Sequence, residues 1–315
     1  MAPSSNGSRQ LKPAARKITK PNTWKKARVK KPHKPLPKSR MILRKAIDGL
    51  LKVPAAVAGV TVIYTLGVVL LVRGLAPSEN FLVIQALLDQ AFTGVGGKLQ
   101  SAVIQLTSLF GGSGNSQTAN GGIYQTILLI VCSLAFIWVL RQSQAKHAVS
   151  TKQAFYKGMY PLIPFVLVVV IFGLQIVPFS LGAYLFNAFF AGSIAVHLWE
   201  KLLVIAAFTS LIYWSLRMIT ASVFALYIVT LPDTTPLQAI RSANQLVAGR
   251  RLEIWRKFLL LPIVIIFGTS LLLLPFILFL TPLVVWVFFL LSSVWFPLVH
   301  GYLYTLYREL LNHGK

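Results

Sequence analysis

From residue 53 onward, long apolar runs alternate with short polar or basic segments. A helix needs about 20 consecutive apolar residues to cross the hydrocarbon core of a bilayer. Six runs reach or approach this length, and we predict a membrane-spanning helix in each: 53–72, 123–140, 161–181, 202–218, 258–280 and 282–304. The pattern therefore predicts an all-α, polytopic transmembrane helical bundle of about six spans within residues 53–306.

The last two runs form a nearly continuous apolar stretch that only Thr281 and Pro282 divide. At about 1.5 Å per residue, this stretch is too long for one crossing and suits a tight helical hairpin. Prolines inside other runs, such as Pro164 and Pro178, are compatible with spans, because neighbouring helices satisfy the backbone groups that proline frees.

One apolar segment, 182–199, has two interpretations. It is apolar enough to span, but Asn187, Gly192 and His197 interrupt it. A seventh span here would place the basic loop 241–257 outside, against the positive-inside rule. We therefore predict an interfacial helix on the outer face. Its aromatic anchors are Tyr184, Phe189, Phe190 and Trp199.

The remaining chain consists of polar tails and amphipathic segments. Residues 1–38 are rich in Lys, Arg and Pro, so we predict a disordered basic tail. Residues 39–52 place apolar and basic side chains at helical spacing, which predicts a juxtamembrane amphipathic helix capped by Ser39. Residues 80–110 predict two further interfacial helices on the outer face, and 307–315 a short C-terminal tail.

Composition and charge support this class and give an orientation. The chain is 56% hydrophobic and 12% charged, whereas soluble domains carry about 25% charged residues. Of the 31 Lys and Arg residues, 16 precede residue 53. With six spans and this tail inside, 27 of the 31 lie inside and three outside, as the positive-inside rule requires. We therefore predict a protein of the cytoplasmic membrane with both termini in the cytoplasm.

The segment between the fourth and fifth runs carries the most characteristic motif, LPDTTPLQAIRSANQLVAGRRLEIWRKFLLLP at 231–262. Thr235 is predicted to cap a helix that begins at Pro236 and that Gly249 ends. The apolar face of this helix is Leu237, Ile240, Ala243 and Val247. A Gly-Arg-Arg sequence and an aromatic residue then precede an apolar span.

This pattern resembles the six-span membrane domain attached to glycerophosphoryl diester phosphodiesterases and related uncharacterised bacterial integral membrane families. The resemblance implies the six-span layout over about residues 40–310. It implies no catalysis in this chain, because in those enzymes the chemistry belongs to a separate soluble barrel domain.

The basic residues after the predicted helix are the first candidate site. At the start of the fifth span they are expected at the depth of the inner headgroups, where guanidinium groups bind phosphate through two parallel hydrogen bonds. The alternative is that they only anchor the topology. These candidate headgroup contacts are Arg250, Arg251, Arg256 and Lys257.

Two residues inside the spans are candidate intramembrane sites, since ionisable groups there are costly and frequently functional. Arg217, near the inner end of the fourth span, either snorkels to the headgroups or contacts a substrate or gate. His300, deep in the last span, either binds a ligand or relays a proton, or it completes an interhelical hydrogen bond.

The sequence favours a non-enzymatic protein without metal or cofactor. None of its seven acidic residues lies within a predicted span, and its five histidines lack metal-ligand spacing. We expect a role in membrane organisation or as a subunit of a membrane complex; the alternatives are a small-solute or lipid transporter and, third, a membrane enzyme. Expected partners are the bilayer, its anionic cytoplasmic headgroups, and a protein or second copy. Nucleic acid is disfavoured, because Trp24 is the only aromatic residue in the basic tail.

Overall fold

The structure, a computed structural model, describes residues 36–73, 121–191, 197–280 and 283–314. Within these ranges the chain is almost entirely helical and has no strand, which confirms the predicted all-α class. The nine α-helices there are α1 (Ser39–Leu51), α2 (Pro54–Val68), α3 (Gly121–Gln144), α4 (Thr151–Gly158), α5 (Leu162–Ala191), α6 (Leu198–Ile228), α7 (Pro236–Val247), α8 (Arg251–Phe279) and α9 (Val284–Gly314). A π-helical turn, Val69–Arg73, continues α2. The predicted helices in 80–110 and the tail before residue 36 lie outside the described residues.

Within the described ranges, six helices are long and apolar enough to cross a membrane, which supports a multi-pass membrane protein and agrees with the six predicted runs. Their candidate spans are Pro54–Val72, Gly122–Gln144, Leu162–Phe189, Leu198–Ile228, Arg251–Phe279 and Val284–Asn312. Most of these helices extend beyond the predicted apolar runs.

The prediction of a separate interfacial helix over 182–199 is wrong, and so is the seventh span. α5 continues through Pro178 to Ala191, and Trp199 lies in the first turn of α6. Gly182, the first residue of that segment, is a packing position: a Cβ there would lie 3.1 Å from the Phe208 ring. The absent side chain therefore lets α5 and α6 approach each other closely.

α1 is the predicted amphipathic helix, with two corrections. Lys38 rather than Ser39 occupies its N-cap, without a side-chain hydrogen bond. Its apolar face packs on protein, because Ile42 and Ala46 are buried and α1 lies along α9. The predicted C-terminal tail is correspondingly helical, since α9 continues to Gly314. The buried residues Leu306, Tyr307 and Leu310 account for this continuation.

α7 confirms the predicted capping motif. The Thr235 hydroxyl accepts a hydrogen bond from the Gln238 backbone N–H, and the Gln238 side chain accepts one from the Thr235 N–H. Gly249 has a φ of 82° just after the helix, a conformation that glycine adopts without steric cost. The buried face differs by one position, because Ala239 is buried with Ala243 and Val247 while Leu237 is exposed.

Aromatic packing between α2, α3 and α9 occupies the main core. The ring of Phe296 stacks on Tyr64 at 4.5 Å and meets Phe136 edge-on at 5.8 Å. α5 and α6 pack mainly on one another, and a smaller apolar cluster joins α8 to α9. The helical hairpin predicted for the last two spans is confirmed by that cluster. Its buried members are Leu273, Ile277, Val284 and Phe288.

Candidate functional site

His300 joins three spans through its two ring nitrogens. Its Nε2 lies 3.1 Å from the Ser133 hydroxyl on α3, and its Nδ1 lies 3.3 Å from the Tyr227 hydroxyl on α6. Ser133 and Tyr227 are each 2% exposed. The Phe296 ring packs edge-on against the imidazole at 4.7 Å. Of the two roles predicted for His300, the geometry matches the interhelical hydrogen bond.

Other polar side chains within the spans also form hydrogen bonds between helices. The hydroxyls of Ser215 and Ser222 on α6 donate to the Gln175 carbonyl and to its side-chain oxygen, each at 2.6 Å. The indole N–H of Trp255 on α8 donates to Thr220 on α6 at 2.7 Å. Hydrogen bonds of this kind between membrane helices are worth about 0.6 kcal/mol on average. Together they orient the helices relative to one another.

Arg141, at the end of α3, makes the main polar contact at one end of the bundle. Its two terminal nitrogens donate to the Thr230 carbonyl at 2.8 Å and to the Thr230 hydroxyl at 2.6 Å. The Thr230 hydroxyl in turn donates to the Tyr227 carbonyl at 2.8 Å. The side-chain hydroxyl of the same Tyr227 contacts His300, which in turn bonds Ser133.

Sequence reasoning missed this role of Arg141 and counted it only as one of the inner loop cations. The signal that could have found it is its position at the end of an apolar run, combined with the TLPDTT turn at 230–235. In that turn Asp233 has a φ of 58°, and the Thr234 hydroxyl donates to backbone carbonyls, with Leu231 at 2.9 Å. The pairing itself depends on which helices become neighbours, and the local sequence does not contain that information.

A cavity of about 850 Å³ lies beside Arg141. Residues from α3, α4, the start of α5 and the segment Val229–Thr235 enclose it. Its charged residues are Arg141, Lys157 and Asp233, and its apolar wall includes Leu134, Trp138, Pro161 and Pro164. Tyr156 and Tyr160 also line it, although they are 86% and 91% exposed. Such exposed aromatic residues are typical of a membrane–water interface.

The structure divides the predicted headgroup cluster into buried and exposed cations. Lys257 is 5% exposed; its ammonium group donates to the Pro37 carbonyl at 2.7 Å and lies 3.8 Å from the Glu253 carboxylate. Arg250 is 7% exposed. The prediction that these two side chains face headgroups is therefore wrong. The reason for Lys257 is that the segment before α1 crosses the start of α8, where Leu36 N–H donates to Glu253 at 3.0 Å.

Arg251, Arg256 and Arg217 remain on the surface. The Arg251 guanidinium donates to the Arg217 carbonyl and to the Asn244 side chain, each at 3.4 Å. The structure thus brings the candidate Arg217 next to the candidate Arg251, between α6 and α8. Arg217 and Arg256 are exposed. This exposure is compatible with headgroup contact by either side chain.

No three His, Cys, Asp or Glu side chains lie close enough to hold a metal ion within the described ranges. Comparison with protein-family models, with curated proteins and with solved structures finds no match for this chain.

Proposed function

We propose that this chain is a non-enzymatic protein of the cytoplasmic membrane that organises the membrane, or a complex within it, at the cytoplasmic face. The observation that carries the proposal is the clustering of exposed cations at one end of the bundle. We call this end, formed by α1, α4, the segment Val229–Thr235 and the last turns of α9, the basic end. Its exposed cations include Arg40, Arg44, Lys45, Lys52, Lys152, Lys157 and Arg308.

Three contacts support the assignment of these elements to one end. Lys45 on α1 forms an ion pair of 2.7 Å with Glu309 near the end of α9. Thr151 on α4 lies against Gly59, near the start of α2, and Arg141 bonds Thr230. Cations at a membrane surface bind anionic headgroups at about 1 kcal/mol each. The positive-inside rule gives the orientation, with the basic end and both termini in the cytoplasm.

The use of polar groups inside the bundle favours a scaffold over an enzyme. Ser133 and Tyr227 each bond His300 and thereby hold α3, α6 and α9 together. The resemblance of residues 231–262 to a membrane domain that accompanies soluble phosphodiesterases agrees with this role, because that domain is not the catalytic part.

The second candidate is a small-solute or lipid transporter. The cavity beside Arg141 favours it, since polar groups continue from that cavity towards His300. Transport requires the site to open alternately to both sides of the membrane. Uptake of a solute or lipid by proteoliposomes containing the purified chain would favour the transporter over the scaffold.

Purification of the full chain in mild detergent tests the scaffold, with identification of the lipids and proteins that remain bound. We expect enrichment of anionic phospholipid, and a loss of that enrichment when Arg40 and Arg44 are both replaced by Gln. Lys201→Gln is the matched control, because it removes an exposed cation at the start of α6, the end of that helix opposite the segment Val229–Thr235. Equal lipid content in all three proteins, without any co-purifying protein, would contradict the proposal.

A further inference from the structure

We propose that the cavity beside Arg141 is a phospholipid-binding site in which Arg141 and Lys157 hold the headgroup phosphate. The inference rests on the proposed function only in so far as the basic end must contact lipid headgroups. It goes further, because it assigns one defined site and one ligand class to that end.

Arg141 is positioned before any ligand binds. Its hydrogen bonds to the Thr230 carbonyl and hydroxyl fix the guanidinium plane. A guanidinium group carries more N–H donors than these contacts use. A planar cation held in this way binds the oxygens of a phosphate at low entropic cost, since its side chain is already ordered.

A second cation and a hydroxyl donor border the same cavity. Lys157, the penultimate residue of α4, is exposed and lines it. Thr235 accepts a hydrogen bond from the Gln238 N–H, so its own hydroxyl proton can still be donated to a ligand. Thr235 is also the N-cap of α7, whose dipole adds partial positive charge at this point. The site therefore offers a phosphate two full charges and several donors.

The apolar wall argues for a lipid rather than for a free anion. A phosphate ion alone would leave most of a cavity of about 850 Å³ unfilled. Leu134, Trp138, Pro161 and Pro164 give one side the surface that a glycerol backbone and the start of an acyl chain would cover. The exposed rings of Tyr156 and Tyr160 are suited to headgroup depth. A glycerophospholipid matches both the charged and the apolar parts.

Asp233 is the exception within this lining, because it adds a carboxylate beside the two cations. It repels a second negative charge and attracts an amine. We expect it to favour phosphatidylethanolamine over phosphatidylglycerol, since the amine of the former would lie near this carboxylate. Asp233→Asn should therefore shift the preference towards phosphatidylglycerol.

The test uses the full chain in detergent, with native mass spectrometry of the lipid that stays bound. The probes are phosphatidylethanolamine, phosphatidylglycerol, glycerol 3-phosphate and inorganic phosphate. Lys157→Gln should weaken phospholipid binding about fivefold, the factor for one headgroup cation. Lys152→Gln is the matched control: it removes an exposed cation from the same helix, but one that does not line the cavity. Arg141→Lys keeps the charge without the two-pronged geometry and should lower binding further than Lys157→Gln.

Three outcomes would overturn the inference. One is equal phospholipid binding by the Lys157→Gln and Lys152→Gln proteins. Another is binding of inorganic phosphate or glycerol 3-phosphate as tight as that of the phospholipids, which would make the ligand a free anion. The third is loss of lipid only when Arg40 and Arg44 are changed, in which case the proposed function stands and the cavity has no part in it. If no variant and no wild-type protein retains phospholipid, both proposals fail.

Discussion

His300 illustrates how neighbouring helices can accommodate a polar residue inside a span. A histidine inside a membrane span suggests binding or proton transfer, because an unpartnered imidazole in hydrocarbon is unfavourable. Here hydroxyls on two other helices face both ring nitrogens. The sequence identified His300 as a candidate site and an interhelical hydrogen bond as one of its alternative roles. It could not supply Ser133 and Tyr227 as the partners, because both lie more than 70 residues away.

A double-mutant cycle tests the structural role of His300. We expect His300→Phe and Ser133→Ala to be individually destabilising, and their effects on the unfolding free energy to be coupled by about 0.6 kcal/mol, as is typical between membrane helices. The measurement is unfolding in mixed detergent micelles, followed by circular dichroism. Strictly additive effects would mean that the Ser133–His300 contact contributes nothing to stability.

Lys257 and Arg256 are adjacent cations, and replacing each compares the loss of a buried charge with the loss of an exposed one. Lys257 donates to the Pro37 carbonyl and is buried, whereas Arg256 is exposed. We expect Lys257→Met to lower the unfolding free energy by about 1–3 kcal/mol, because it leaves buried polar groups unpaired. Arg256→Met should change it by less than about 0.5 kcal/mol, as is usual for surface sites. Equal effects in the same unfolding assay would show that the segment before α1 does not cover α8.

At the scale of helices, the apolar pattern predicted which elements exist but was less reliable about where they end. α7 was predictable in detail, because its cap and its terminal glycine are local signals. The ends of α5 and α6 were not. Two residues beyond the predicted runs lie inside these helices: Gly182 permits close helix packing, and Ser222 bonds Gln175. Whether a small or polar residue ends a helix depends on the helix beside it.

Replacing glycine by alanine is expected to have opposite effects on stability at Gly158 on α4 and at Gly173 on α5. A Cβ on Gly158 would lie 3.1 Å from the Ala135 Cα, a backbone atom that cannot move aside. Gly158→Ala should therefore destabilise the protein by about 1–3 kcal/mol, the usual cost of overpacking. A Cβ on Gly173 meets nothing within 4 Å. Gly173→Ala should then stabilise α5 by about 0.5–1 kcal/mol, because alanine favours the helix. Thermal unfolding in detergent compares the two variants, and a stabilising Gly158→Ala would contradict the packing of α4 on α3.

At the scale of the whole molecule, the spans of the described ranges could be predicted from the sequence, whereas the arrangement of charge could not. The basic loops were visible, but they were treated as one uniform cytoplasmic surface. In the structure, Lys257 and Arg250 are buried, Arg141 is bonded within the bundle, and the α1 cations remain exposed. These three environments arise only when α1, α3 and α8 meet other parts of the chain. A count of positive charges therefore does not reveal which cations are free to bind a ligand.

Orientation can be tested with single cysteines in intact cells. The background is Cys132→Ser, and the native Cys132 is itself buried. Ser150 and Ser242 are exposed. Both lie in segments between spans, and we place these segments in the cytoplasm. Cysteines at these two positions should be protected from an impermeant thiol reagent and should react after permeabilisation. Cysteines at Ser116 and Gly192, in the two segments that we place outside, should react without it. Labelling at Ser242 in intact cells would invert the assignment of the basic end and remove the basis for a cytoplasmic lipid site.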